Sequence, residues 1–231
     1  MERRDFIRVC AASTLGAAFP TATADAKPRL YARVRLLDTR GLPLKGRALA
    51  ANRNFIFHYP YSATPCFLLN LGKPTKPAAT LKTKDAQSYE WEGGVGASRS
   101  IVAYSAICAH RLSYPTRQIS FISYSREPMR HNGHAQVIHC CSEHSRYDPS
   151  EGARVVSGPA PQPLAAILLD YDAPSDELYA TGTLGGEMFN EFFSRFEFQL
   201  AMVHGSHARQ AVEGSCVVSE LTQFCRQQVK C

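Results

Sequence analysis

The sequence has no run approaching the roughly eighteen uninterrupted apolar residues that a bilayer-spanning helix needs, so no segment reads as a transmembrane anchor. It also lacks any block of lysine and arginine interleaved with aromatics, which argues against nucleic acid as a partner. Internal repeats and low-complexity tracts are absent. What is present is ordinary: 231 residues, 45% hydrophobic and 20% charged, the composition of a folded chain with one sizeable core. The net charge of +6 survives removal of the first 26 residues, where Arg3, Arg4 and Arg8 cancel Glu2, Asp5 and Asp25. Such a charge suits an acidic partner surface, or it is scattered solvated charge.

Residues 1–26 read as an address. Arg3 and Arg4, with Phe6 just beyond, resemble a twin-arginine export motif. A weakly apolar stretch from Val9 to Phe19 follows, then small residues from Ala22 to Ala26 of the kind a signal peptidase accepts. A short amphipathic helix is the plainer alternative. Export by this route carries folded proteins with cofactors already inserted, and it predicts a periplasmic location where disulfides form.

Beyond the leader, period-two and apolar runs predict strands over Leu30–Leu37, Asn54–Tyr59, Cys66–Leu71, Ile101–Ile107, Ile119–Tyr124, Gln136–His139, Ala165–Tyr171 and Glu177–Thr181. Lys73–Lys84 is polar and reads as an exposed loop. Many short strands with Gly/Pro turns predict a mainly β, antiparallel sandwich. The final stretch differs. Met188, Phe189, Phe192, Phe193, Phe196 and Leu200 recur at helical spacing, and Val218–Val229 is a second candidate helix. The phenylalanine-rich helix is most simply core packed on the sheet; the sharper reading is a docking face.

Two segments combine cysteine and histidine. Cys108 and His110 follow the apolar run at Ile101–Ile107, and Cys141 and His144 follow the run ending at Cys140. Each offers one thiolate and one imidazole, the stoichiometry of a [2Fe–2S] centre with two cysteines on one iron and two histidines on the other. A Cys₂His₂ zinc site has the same donors, with His131, His134 and His139 as further candidates. Zinc fingers, however, usually pair like ligands, whereas each box here is mixed.

The surroundings favour the cluster. After the second box come Tyr147, Asp148, Gly152, then Gly158–Pro161 and Leu164; before the first come Trp91–Gly96 and Ile101–His110. Over about Phe55 to Gly186 the chain resembles the Rieske proteins of cytochrome bc1 and b6f complexes. The resemblance implies a Rieske-type β-sandwich over residues 27–186, with cluster-binding loops at 108–113 and 141–161 and a Cys-containing helical extension over 187–231. It implies one [2Fe–2S] cluster held by Cys108, His110, Cys141 and His144. Tyr147 would donate its hydroxyl to a ligand thiolate, Ser145 would donate to a bridging sulfide, and Gly158 and Pro159 would form the covering loop. Such bonds favour the reduced cluster and raise its potential.

Three departures qualify that picture. The family ties its two loops with a disulfide, at positions that here hold Ser113 and Glu143. Residues 111–140 form a longer separation than the family uses, with Tyr114, Pro115, Arg126 and Arg130 to His134 within it. Ser145–Tyr147 follows His144 one residue short of the family pattern. Outside Cys10 and the implied ligands lie Cys66, Cys140, Cys216, Cys225 and Cys231, an odd number. A bridge within the group Cys216, Cys225 and Cys231 is expected, or one of these reaching back to Cys66.

The resemblance implies one-electron transfer, as a soluble carrier or as the small subunit of a periplasmic oxidoreductase, with a cytochrome or an oxidoreductase large subunit as redox partner. The alternative is the Rieske subunit of a quinol-oxidising bc-type complex. A Rieske oxygenase needs a second iron in a further domain, for which the residues after the sheet are too few. A cluster-free or zinc structural module is the remaining alternative.

Overall fold

The computed structural model describes residues 25–127 and 135–231. The leader read over 1–26 lies outside it but for the last two residues, and Arg130, His131 and His134 lie outside it altogether. In chain order the elements are β1 (Arg29–Leu37), β2 (Phe55–His58), β3 (Pro65–Asn70), β4 (Ala79–Lys82), β5 (Ser88–Trp91) and β6 (Ile101–Ser105). Then come β7 (Ile119–Ser120), β8 (Ile122–Ser125), β9 (Val137–Cys140), β10 (Ser145–Asp148), β11 (Arg154–Ser157), β12 (Ala166–Asp172) and β13 (Glu177–Leu184). The last part holds α1 (Phe189–Arg195), α2 (Glu197–His204), β14 (Ser215–Val217), β15 (Ser219–Glu220), α3 (Leu221–Phe224) and β16 (Gln227–Gln228). The fold is mainly β, as the strand pattern predicts.

Eight strands form one sheet in the order β14-β1-β13-β12-β6-β3-β2-β15, antiparallel except for β1 beside β14. Its central strands are buried on both faces. Phe67 and Leu69 of β3 and Val102 and Tyr104 of β6 point into one core; Cys66, Leu68, Ile101 and Ala103 point into the other. That is why these segments read as continuous apolar runs rather than alternating ones, since each pleat face needs its own apolar side chains. The first core is shared with a smaller sheet of order β11-β10-β9-β8. Cys108, Cys140 and Tyr147 sit where the two sheets meet.

Three expectations need correction. Lys73–Lys84 is not wholly loop: Ala79–Lys82 pairs with Ser88–Trp91, and Ala79 and Leu81 are buried between exposed neighbours. The period of two over so short a stretch, with Thr80 and Lys82 on the solvent face, is hidden within a polar, lysine-rich segment. Val218–Val229 is not a helix. Only Leu221–Phe224 is helical, because Ser219–Glu220 adds to the edge of the main sheet and Gln227–Gln228 pairs with Ile119–Ser120. The tail thus caps both edges of the large sheet, β14 on one side and β15 on the other. Finally, Cys66, Cys216 and Cys225 form no disulfide; the bridge joins Cys141 to Cys231.

The phenylalanine-rich segment is core over α1 and at Leu200, while Phe198, Met202 and Val203 of α2 are exposed. It breaks at Phe196 into α1 and α2, and Phe189, Phe192, Phe193 and Leu200 are buried against Ile107 and Leu112. Tyr114 stands edge-on to Phe192 at 4.9 Å, so the aromatic helix buttresses the first Cys/His loop from behind.

Candidate metal centre

β6 runs directly into the first box. Ala106, Ile107 and Cys108 continue its buried line, after which the chain turns back. The turn is closed by Cys108 N–H donating to Ser113 O at 2.9 Å and Leu112 N–H donating to Cys108 O at 2.9 Å, with Leu112 in the left-handed region. The second box is the tip of the hairpin formed by β9 and β10. Cys140 pairs with Ser145, so residues 141–144 make the turn, and His144 adopts φ 56 to close it. Histidine is one of the few side chains that tolerate that region.

Tyr147 is fully buried, and its hydroxyl lies 3.3 Å from Cys108 Sγ while accepting from Ala109 N–H at 3.2 Å. The amide occupies one lone pair of the hydroxyl, and the hydroxyl proton remains available to a Cys108 thiolate. Cys108 receives more than this. The Cys140 thiol donates to it, and the backbone N–H groups of His110 and Arg111 point at it. Together, with Cys140 foremost and against the opposing effect of burial, these donors pull the Cys108 thiol down to about 6. Cys140 moves the other way, held protonated by its bond to Cys108 and by burial. A buried pair that shares one proton is an electron-rich sulfur site already surrounded by donors.

Two buried polar atoms have no hydrogen-bond partner in this region: Ser145 Oγ and His110 Nδ1. The latter is 3.4 Å from a Glu143 carboxylate oxygen, without a bond between them, and Arg111 Nε approaches the same carboxylate at 3.9 Å. Orphaned buried groups cost about 1–3 kcal/mol each and persist where something else satisfies them. Gly158, at φ 90, lies against the hairpin tip so closely that a Cβ there would fall 2.5 Å from His144 O and 2.6 Å from Ser145 Cα. Residues 158–161 therefore press onto the turn only because position 158 has no side chain.

Of the residues singled out in the sequence, the structure brings together Cys108, His110, Ser145, Tyr147 and Gly158. His144 stands at the exposed tip of the turn, its ring 6.4 Å from that of His139. Cys141 departs from expectation. Its sulfur is bonded to Cys231, and that sulfur in turn lies 3.1 Å from His139 Nδ1. Cys140 takes the inward place instead. The signal that marks Cys140 was in the sequence: it ends an apolar run whose final residue continues the buried strand. The two-residue gap between Cys141 and His144 outweighed it.

The loop disulfide that the sequence lacks also has a counterpart. Ser113 Oγ and Ser142 Oγ are hydrogen-bonded at 2.8 Å across the two loops. The donor set therefore offers two thiols and one buried imidazole nitrogen, with hydroxyl and amide donors around the sulfurs and a second imidazole at the tip. Two thiols in a cradle of N–H and O–H donors, beside the buried His110 nitrogen, fit the sulfur side of a [2Fe–2S] centre; the side chain next to His110 is Glu143, while the His144 ring lies at the exposed tip.

No family model matches the chain. Among solved structures it is similar to the soluble domain of the Rieske protein II (soxF) from Sulfolobus acidocaldarius, at 27% identity and a TM-score of 0.44, covering 68% of this chain and 82% of that one.

Proposed function

We propose that this chain carries a Rieske-type [2Fe–2S] cluster and passes single electrons to and from a protein partner, as a soluble carrier or small subunit of a periplasmic oxidoreductase. The observation that carries this reading is the pair of buried atoms without a hydrogen bond, Ser145 Oγ and His110 Nδ1, near a sulfur site that already collects four donors. A zinc site accounts for thiols and imidazoles, but it leaves the Ser145 hydroxyl without a role.

When bound, the cluster supplies a one-electron couple. Everything else belongs to the protein. Tyr147 and the amides of His110 and Arg111 place positive hydrogen-bond ends on Cys108, which favours the more negative, reduced state and raises the potential. The β6 turn and the β9–β10 hairpin are each closed by backbone bonds, so the sulfurs are held with little rearrangement between states. Gly158 lies against the hairpin tip, at the backbone of His144 and Ser145. The imidazole of His144 is exposed at the tip; as a ligand it would give the cluster a short route to a partner and a ring nitrogen for a proton. Arg111 beside it is 64% exposed and suits an acidic partner surface.

A disulfide at Cys141–Cys231 supports an oxidising compartment, in keeping with the twin-arginine-like leader. Among the described residues no helix is long and apolar enough to cross a membrane. The deciding experiment is electron paramagnetic resonance of the dithionite-reduced protein together with metal analysis. A Rieske-type spectrum with low average g and two irons per chain is expected; stoichiometric zinc with no such spectrum would refute the proposal.

A further inference from the structure

We infer that Cys140, rather than Cys141, is the second sulfur ligand, and that Cys141 is reserved for a disulfide to Cys231 that fastens the tail to the cluster loop. This assignment rests on the cluster reading and specifies it.

The argument begins with the pleat. Successive side chains on a strand point to opposite faces, so two adjacent cysteines at the end of β9 cannot both reach one site. Cys140 pairs with Ser145 in the hairpin and is fully buried, with its thiol bonded to Cys108. Cys141 begins the turn, and its N–H donates to Phe121 O at 2.6 Å. Its sulfur lies on the side of β16, 3.3 Å from Val229 O and bonded to Cys231.

On that side lies the tail, held by backbone pairing as well as by the sulfur bond. Gln227 pairs with Ile119 and Gln228 with Ser120, while Val229 N–H donates to Ser120 O at 2.9 Å. Arg226 N–H donates to Arg117 O at 3.0 Å. Four backbone contacts thus deliver Cys231 to Cys141, and the disulfide closes a match already made. For Cys141 to serve as ligand, the disulfide would have to open and the hairpin slip by one residue. Such a slip of β9 turns Ile138 and Cys140 out of the core that they share with Cys108 and Tyr147.

Two measurements test this, one of them independent of the cluster. Non-reducing peptide mapping of the purified protein should find Cys141 joined to Cys231, with Cys108 and Cys140 alkylated only after iron is chelated. After reconstitution with iron and sulfide, Cys141→Ser and Cys231→Ser should keep the wild-type spectrum and iron content. Cys140→Ser should lose iron at least tenfold while retaining the Cys141–Cys231 cross-link, which certifies its fold. Loss of the cluster in Cys141→Ser, or its retention in Cys140→Ser, overturns the assignment while leaving the cluster reading intact. Wild-type protein that takes up no cluster overturns both. Free thiols at Cys141 and Cys231 in the purified protein would overturn the assignment alone.

Discussion

Replacing Cys231 with serine cuts the tie between tail and hairpin while keeping every backbone bond of β16. The magnitude follows from chain entropy. The disulfide joins residues 90 apart in sequence, and closing a loop of that length restricts the unfolded chain by about 4–5 kcal/mol in the simple model. Residual denatured-state structure reduces this, so a loss of about 2–4 kcal/mol is expected. For a chain of this size each kcal/mol moves the midpoint by roughly 2–4 °C, which gives a fall on the order of 10 °C. The assay is thermal unfolding under non-reducing conditions at matched iron content, with Cys141→Ser and the double variant alongside. Both singles and the double should fall together, because each removes the same bond. Wild-type protein in a phosphine reductant should join them. A Cys231→Ser protein that melts with the wild type, or a double variant showing the sum of two single losses, would refute the reasoning.

Gly158→Ala should be the most damaging small change near the site: its Cβ meets backbone atoms of His144 and Ser145 at 2.5 and 2.6 Å, which cannot swing aside. A cost on the order of 1–3 kcal/mol for the backbone conformation alone is expected, and iron retention should drop with it; unchanged melting and iron content would count against the close approach. Tyr147→Phe removes the hydroxyl from Cys108 and leaves Ala109 N–H unpaired. One lost hydrogen bond of about 1 kcal/mol should lower the potential by roughly 40 mV in a redox titration, and a rise would reverse the assigned role. Burial pushes the His58 imidazole from 6.5 down to about 4, with His204 and Arg117 adding to it. The unfolded chain therefore takes up this proton first as pH falls. The stability present above pH 6.5 declines toward pH 4, by roughly 3 kcal/mol for this group. Urea midpoints at both ends of that window, compared with His58→Phe, check the sign; equal pH dependence in the variant would exclude His58 as the source.

Much of the framework was legible in the residues. The runs at β3 and β6 announce strands buried on both faces, because both pleat positions are apolar. The close cover at Gly158 is marked by glycine for a steric reason that acts locally, whereas the left-handed turns at Leu112 and His144 carry no such mark. The mixed Cys/His boxes, with Tyr147 and Ser145 at short range, mark where sulfur and imidazole donors gather. Each of these features is written over a few adjacent residues, and local sterics and periodicity act at that range.

Other features came only from the fold. Whether Cys140 or Cys141 faces Cys108 depends on the register of one hairpin, and a one-residue shift in register exchanges the faces without altering composition. The partner of Cys141 lies ninety positions away, at a distance no periodicity spans. It is chosen by the pairing of β16 with β7, a two-residue contact too short to leave a pattern. The same holds for β14 and β15, which read as tail and become sheet edges only because the large sheet leaves backbone groups unpaired there. The sequence by itself determined the strands, the turns and the donor types. Tertiary structure decided which donor faces inward, because that choice is made by long-range pairing.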